Sequence, residues 1–213
     1  MKLARIVLPA VLLTASSTAL AQKWEVGAAG GYGFYTKKSV TAGSVTGETG
    51  FDNGFAASAW LGNDMHQHIG GEFRYDYRKG DLMVSSGGTK ASFSGEAHAI
   101  HYDLLIHATS RESKVRPFAA IGAGVKVYRG TGKTQVFQPL SNLVLLSPVT
   151  EAKGMASVGG GVKFHLSNSI VFRVEVRDYI TPIPKQVLAP SVGAKFSGII
   201  HDIVPTFGIA AMF

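Results

Sequence analysis

The stretch "IVFRVEVRDY" (170–179) constrains this chain more tightly than any other, because it alternates with a period of two for ten residues. In an extended strand successive side chains point to opposite faces. Phe172, Val174 and Val176 therefore share one face, and Arg173, Glu175, Arg177 and Tyr179 share the other. The alternation leaves its own sign open. A sheet in water buries the apolar face, whereas a sheet closed on itself inside a membrane turns that face to lipid and keeps polar groups within.

The remainder of the chain narrows the choice. Lys2 and Arg5, the apolar run "IVLPAVLLTASS" and Ala19-Leu20-Ala21 read as an export signal over residues 1–21, with cleavage before Gln22. The apolar part is too short to span a bilayer, and Pro9 interrupts it. Beyond it no run approaches the roughly 20 apolar residues of a spanning helix, so any membrane crossing falls to strands. The formal charge of +7 becomes +5 once Lys2 and Arg5 are removed, and basic residues are interleaved with acids, which gives nucleic-acid binding no support. The absence of cysteine excludes a disulfide scaffold and thiolate metal sites.

Eight segments carry strand signals: 23–36, 51–62, 68–80, 93–107, 116–129, 151–166, 170–181 and 202–213. The connections after the second, fourth and sixth are short ("NDMHQ", "ATSRESKV", "SNS"), and those after the odd-numbered segments are long. Alternating short and long connections around an even number of strands is the pattern of a membrane barrel. The polar faces mix charges with glycine, as in Ser157, Gly159, Gly161, Lys163 and His165. Such a mixture fills the narrow interior of eight strands but weakens a strand on an outer surface. Trp24, Phe164, Phe172 and Phe213 fall near the short-turn end of the apolar faces, and Tyr32, Phe34, Tyr75 and Tyr77 near the long-loop end, as two interfacial girdles would. The expected fold is all-β, an eight-stranded antiparallel transmembrane β-barrel with short periplasmic turns and long extracellular loops, over residues 22–213.

The terminal stretch "DIVPTFGIAAMF" resembles the C-terminal signal of bacterial outer-membrane proteins, through Thr206, Gly208, Ala211 and Phe213. The resemblance implies recognition by the barrel-assembly machinery. "RPFAAIGAGVKVYRG" (116–130) and "VGGGVKFHLSNSIVFRVEVRDY" (158–179) resemble strands five to seven of the small outer-membrane barrels related to the transmembrane domain of outer-membrane protein A. That likeness implies the cell outer membrane as location and its lipid as partner. Because the chain stops at Phe213, no peptidoglycan-binding domain is expected.

The expected lumen holds six acids, Glu25, Glu72, Asp76, Asp103, Glu175 and Asp202, against six bases, Arg74, Arg78, Lys126, Lys163, Arg173 and Arg177. Buried charges need partners, and the planar guanidinium matches a carboxylate well. The leading expectation is a pore-filling lattice of ion pairs in a structural or surface-interaction barrel, without catalytic activity or cofactor and acting as a monomer. The alternatives are a gated narrow channel for small or hydrophobic solutes and, last, a lipid A-modifying enzyme. His165 and Ser167, with Glu175 downstream, have the residue types of a Ser-His-acid triad, though "SNS" reads better as a turn. Asp64, His66 and His68 could in principle share a metal but read as a solvated turn. The apolar loops 136–149 and 182–200 are expected either to pack on each other above the barrel or to offer a surface-ligand site. Mass spectrometry of the exported protein should give Gln22 as its first residue; a mature chain still carrying residues 1–21 would contradict the signal assignment.

Overall fold

The computed structural model describes residues 24–133 and 137–213. The export signal, Lys23 and Val136 lie outside the described residues. In chain order the strands are β1 (Trp24–Tyr35), β2 (Lys38–Ala42), β3 (Val45–Phe51), β4 (Gly54–Asp64), β5 (Ile69–Lys79), β6 (Leu82–Ser86), β7 (Thr89–Phe93) and β8 (Gly95–His107). They continue as β9 (Val115–Gly130), β10 (Val144–Leu146), β11 (Thr150–His165), β12 (Ile170–Pro182), β13 (Leu188–Pro190), β14 (Ala194–Lys195) and β15 (Ile199–Met212). Among the described residues no helix is long and apolar enough to cross a membrane.

The long strands close into one antiparallel barrel in the order β1-β15-β12-β11-β9-β8-β5-β4. Counting the eight long strands alone, every neighbour in the ring is also a neighbour in sequence except at the β1–β15 seam, as expected of hairpins joined end to end. The seam is tied at the short-turn end by two backbone bonds, Trp24 N to Phe213 O (3.1 Å) and Phe213 N to Trp24 O (3.0 Å). All eight predicted barrel segments are present, with ends shifted by a few residues. Phe51 and Phe93 belong to loop strands rather than to the barrel, which starts again at Gly54 and Gly95.

The sign of the alternation is settled by exposure. Phe172, Val176, Phe207, Ile209, Ile100 and Ile121 face outward and exposed, whereas Arg173, Glu175 and Arg177 are buried. Trp24 and Phe213 at one end, and Tyr32, Phe34 and Tyr75 at the other, stand on the outward face.

The long connections are not structureless. β2–β3 and β6–β7 are hairpins that join β14 in a five-stranded sheet of order β14-β2-β3-β6-β7, and β10 pairs with β13. The turn chemistry explains both hairpins. Gly87 and Gly88, with φ of 55° and 81°, separate the paired residues Ser86 and Thr89, the arrangement of a type I′ turn. Gly43 (φ 59°) opens the Gly43-Ser44 turn between paired Ala42 and Val45.

These strands enclose a hydrophobic core over the barrel mouth, built from Val40, Phe51, Leu82, Val84, Phe93, Leu143, Val144, Leu146, Val187, Leu188 and Phe196. The apolar residues of segments 137–149 and 182–200 are thus mostly consumed inside this cap. The reason is ordinary burial, since each fully buried Val, Leu or Phe contributes about 1.5–3 kcal/mol relative to exposure. Tyr35 and Tyr128 belong to the same cluster, so the cap continues into the barrel without a break.

Val174→Arg places a charge on the outward wall beside Phe207; it should cost about 2–4 kcal/mol near the bilayer midplane. Refolding titrations into lipid vesicles read this cost, and unimpaired insertion would contradict the outward assignment.

Candidate functional site in the lumen and its cap

The barrel interior is filled by charge. Four of the twelve predicted lumen residues lie on β5 (Glu72, Arg74, Asp76, Arg78) and three on β12 (Arg173, Glu175, Arg177). These two strands stand four places apart in a ring of eight, on opposite walls. Their side chains therefore meet across the lumen.

At mid-depth three arginines surround two glutamates. Arg173 Nη1 contacts Glu72 Oε2 at 2.5 Å and its Nη2 contacts Glu175 Oε2 at 2.7 Å. Arg74 Nη2 reaches the other Glu175 oxygen at 2.5 Å, and its Nη1 reaches Glu72 Oε1 at 3.1 Å. Arg177 adds Asp103 at 2.8 Å and Glu175 at 3.2 Å. All five groups are essentially inaccessible to solvent. Each guanidinium divides its planar donors between carboxylates, which fixes its orientation as well as its charge balance.

Toward the cap, Asp202 receives Lys126 Nζ at 2.6 Å and Arg78 Nε at 3.2 Å. Asp76 is ringed by Ser58 (2.5 Å), Tyr179 (3.1 Å) and His101 (2.7 Å). The second nitrogen of His101 lies 3.1 Å from Asp103 Oδ2. The Lys126 ammonium sits 4.8 Å from the Tyr35 ring centre, and the Arg78 guanidinium 5.0 Å from that of Tyr179. Aromatic faces thus take up cationic charge that the carboxylates leave over.

Near the short turns, Lys163 Nζ and Glu25 Oε2 pair at 2.6 Å, and Trp60 Nε1 donates to the other Glu25 oxygen at 2.7 Å. Arg173 lies over both Trp60 and Phe118, at 4.8 and 4.6 Å from the ring centres. All twelve predicted residues are therefore placed inside and paired. Arg116, whose Nη1 pairs with Asp64 at 2.7 Å, and Trp60 were not among the expected lumen residues, and Asp64, expected in a solvated turn, is buried at the end of β4; His101 shares the inward face of β8 with Asp103, as the alternation of that strand requires. Period-two parity from Lys126 back to Arg116, and along β4, carried the signal for Arg116, Asp64 and Trp60.

Glycine makes this packing sterically feasible. A Cβ on Gly122 would stand 2.0 Å from Asp103 Oδ1, and one on Gly161 would stand 2.7 Å from the Glu175 Cβ. On the flanking walls β9 and β11, the missing side chains leave the room that the Asp103 carboxylate and the Glu175 Cβ occupy.

The remaining candidates do not assemble. Ser167 Oγ accepts backbone N–H bonds from Ser169 (3.3 Å) and Ile170 (3.1 Å), closing the β11–β12 turn. Asp64 turns to Arg116, while His68 Nδ1 lies 3.0 Å from the His107 carbonyl oxygen; among the described residues no three potential ligands converge on a metal position. Thr206 and Gly208 face the interior, where the Thr206 hydroxyl donates to Glu175 Oε1 at 3.3 Å, whereas Ala211 and Phe213 face outward.

Removing one lattice member strands its partners in low dielectric. Arg173→Met should destabilise the folded barrel by about 3–5 kcal/mol, whereas Lys90→Met, which breaks the exposed Lys90–Asp52 pair of the cap, should cost no more than about 1 kcal/mol. Denaturant-unfolding midpoints in detergent micelles compare the two, and equal losses would contradict the lattice as a source of stability.

The comparisons with known proteins agree with this architecture. Neisserial surface protein A (NspA) superposes with a TM-score of 0.57 at 10% identity, over 89% of this chain and 97% of that one. The outer membrane protein OprG from Pseudomonas aeruginosa superposes with a TM-score of 0.59 at 10% identity, over 90% and 97%. At such identities these likenesses speak to the fold alone. No curated protein sequence matches the chain. The family described as outer membrane protein beta-barrel domain, however, matches residues 6–196. The chain belongs to that family and is an outer-membrane β-barrel protein.

Proposed function

We propose that this protein is a non-conducting outer-membrane barrel that presents its cap at the cell surface as an interaction module. The observation that carries this reading is a double closure of the lumen. The Arg74–Arg173–Arg177 lattice occupies mid-depth, and the core around Phe51, Leu143 and Val187 lies over the mouth.

An ion would have to separate several buried pairs and then cross an apolar cluster, each at a high cost. What the structure offers to the outside is instead the far side of the five-stranded sheet, where Ser39, Thr41, Thr46, Glu48 and Lys90 are exposed. This is a rigid polar surface held by the core beneath it, suited to contact with a surface ligand. No catalytic step belongs to this reading. The Ser167 hydroxyl already accepts backbone bonds within its turn, an arrangement that supports a structural role.

Planar-bilayer recordings test the proposal. The protein should give no steady current steps, and Glu72→Ala should give at most irregular leakage. Discrete steps in the unaltered protein that change in size with Glu72→Ala would assign the lumen to a narrow channel.

A further inference from the structure

The cap carries positive charge that nothing in the chain opposes. Its four long connections hold Lys37, Lys38, Lys90, Lys133, Lys185 and Lys195 against only Glu48, Asp52 and Asp81. Two of these carboxylates are already engaged, Asp52 by Lys90 at 2.8 Å and Asp81 by Lys79 at 2.9 Å. Among the described residues Lys37, Lys38, Lys185 and Lys195 form no ion pair, and residues 1–23 and 134–136 contain no Asp or Glu that could supply one.

The fold brings these four lysines to one edge of the cap. Lys195 of β14 stands opposite Thr41 of β2, three residues and about 10 Å along the strand from Lys38. A Cβ on Gly198 would lie 4.0 Å from the Lys38 ammonium, and the Gly198 carbonyl accepts the Ile183 N–H at 3.2 Å, which draws in the segment that carries Lys185. The Lys185 ammonium in turn sits 6.0 Å from the ring centre of Phe196, the residue next to Lys195. Lys37, Lys185 and Lys195 are exposed and Lys38 is half-buried. Glu151 reaches the same segment, but it is engaged by Lys153 at 2.7 Å and by the Gln186 N–H at 2.7 Å.

Lysine on an edge strand blocks pairing with another sheet. That accounts for Lys195 but not for Lys37, Lys38 or Lys185, which lie outside β14. Ammonium groups held this close without a counter-charge repel one another, and an anionic partner relieves the repulsion. The array extends over about 10 Å, farther than a single phosphate or sulfate reaches, so the acidic groups must recur along the partner.

The neighbouring surface indicates what carries those groups. On the outer face of the sheet the register places Lys195, Thr41 and Thr46 in one row, and Ser39, Glu48, Ser85 and Lys90 in the next. A shallow depression of about 500 Å³ lies over the second row. Hydroxyls and a carboxylate without a basic partner suit sugar hydroxyls, which both donate and accept. Neither row holds an aromatic ring on which a nucleic-acid base could stack.

We propose that this edge of the cap binds an acidic polysaccharide, a sugar chain with anionic groups on successive residues. Lys37, Lys38, Lys185 and Lys195 pair with the acidic groups, and Thr41, Thr46 and Glu48 hydrogen-bond the hydroxyls. The proposal rests on the reading of the cap as an outward interaction module and names the class of its ligand. A second copy meeting this edge with its own would set lysine against lysine.

Titration calorimetry of the full mature protein in nonionic detergent micelles tests the site, with dextran sulfate as the probe and unsulfated dextran and polyglutamate of matched length beside it. Dextran sulfate should bind, and its affinity should fall more than ten-fold between about 0.1 M and 1 M salt. Lys38→Ala with Lys195→Ala should weaken binding about ten-fold, whereas Lys38→Arg with Lys195→Arg should retain it. Lys79→Ala with Lys114→Ala removes the same charge away from this edge and should bind like the unaltered protein. Equal affinities in the two alanine pairs would overturn the edge as the site. Polyglutamate bound as tightly as dextran sulfate would overturn the polysaccharide class, and dextran bound as tightly would overturn the role of charge. No binding of dextran sulfate would overturn the proposal and leave the closed lumen standing, whereas current steps in the bilayer recordings would overturn the closed lumen without altering these titrations.

Discussion

The contact between Arg173 and the two glutamates Glu72 and Glu175 is the interaction on which the rest of the barrel depends. It joins β12 to β5 across the full width of the lumen, so it constrains the ring along a diameter where the backbone ladders act only between neighbours. A closed sheet of eight strands has little interior volume, and filling it with unpaired charge would be prohibitive. Pairing every carboxylate with an arginine, lysine or histidine turns the same groups into a rigid strut. Glycines on β9 and β11 are the other half of that arrangement, because Asp103 and Glu175 occupy the space where side chains from Gly122 and Gly161 would project.

The cap follows from a similar constraint at a different place. The long connections carry Leu143, Val144, Leu146, Val187 and Leu188, which in extended loops would stand in water. They fold inward because the hairpins β2–β3 and β6–β7 provide a sheet to cover them, leaving serine, threonine and lysine on the far side. The barrel and cap share Tyr35 and Tyr128, and Tyr128 both stacks on Phe51 (4.8 Å) and hydrogen-bonds Thr181 (2.6 Å). The lumen lattice and the surface module are therefore one continuous packed body.

Much of the barrel was legible in the sequence, because strand periodicity is local and a period of two survives any error in strand ends. The face bearing Arg173, Glu175 and Arg177 could be read from ten residues, and its sign from connection lengths and glycine content. Pairing was not legible. Glu72 and Arg173 lie 101 residues apart, and which carboxylate meets which guanidinium depends on how the ring closes. Arg116 was passed over, and Asp64 was read as part of a solvated turn, because each sits at a strand end, where a face assignment rests on few neighbours. The cap was the larger omission. Its strands are only two to seven residues long and rich in glycine, serine and threonine, yet Ser86-Gly87-Gly88-Thr89 carried a hairpin signal that a reading centred on spanning strands passed over.

The central claim is that the lumen is filled and closed by paired side chains. The natural chain has no cysteine, so a single thiol can be placed at will. Ser157 is an interior position with no solvent exposure, in the cap-side half of β11, and Thr46 is an exposed position on the cap. Labelling of Ser157→Cys and Thr46→Cys with a charged, membrane-impermeant thiol reagent measures the claim directly. The account predicts rapid reaction at position 46 and no reaction at position 157 until the protein is unfolded; comparable labelling rates at both positions in the folded protein would contradict it.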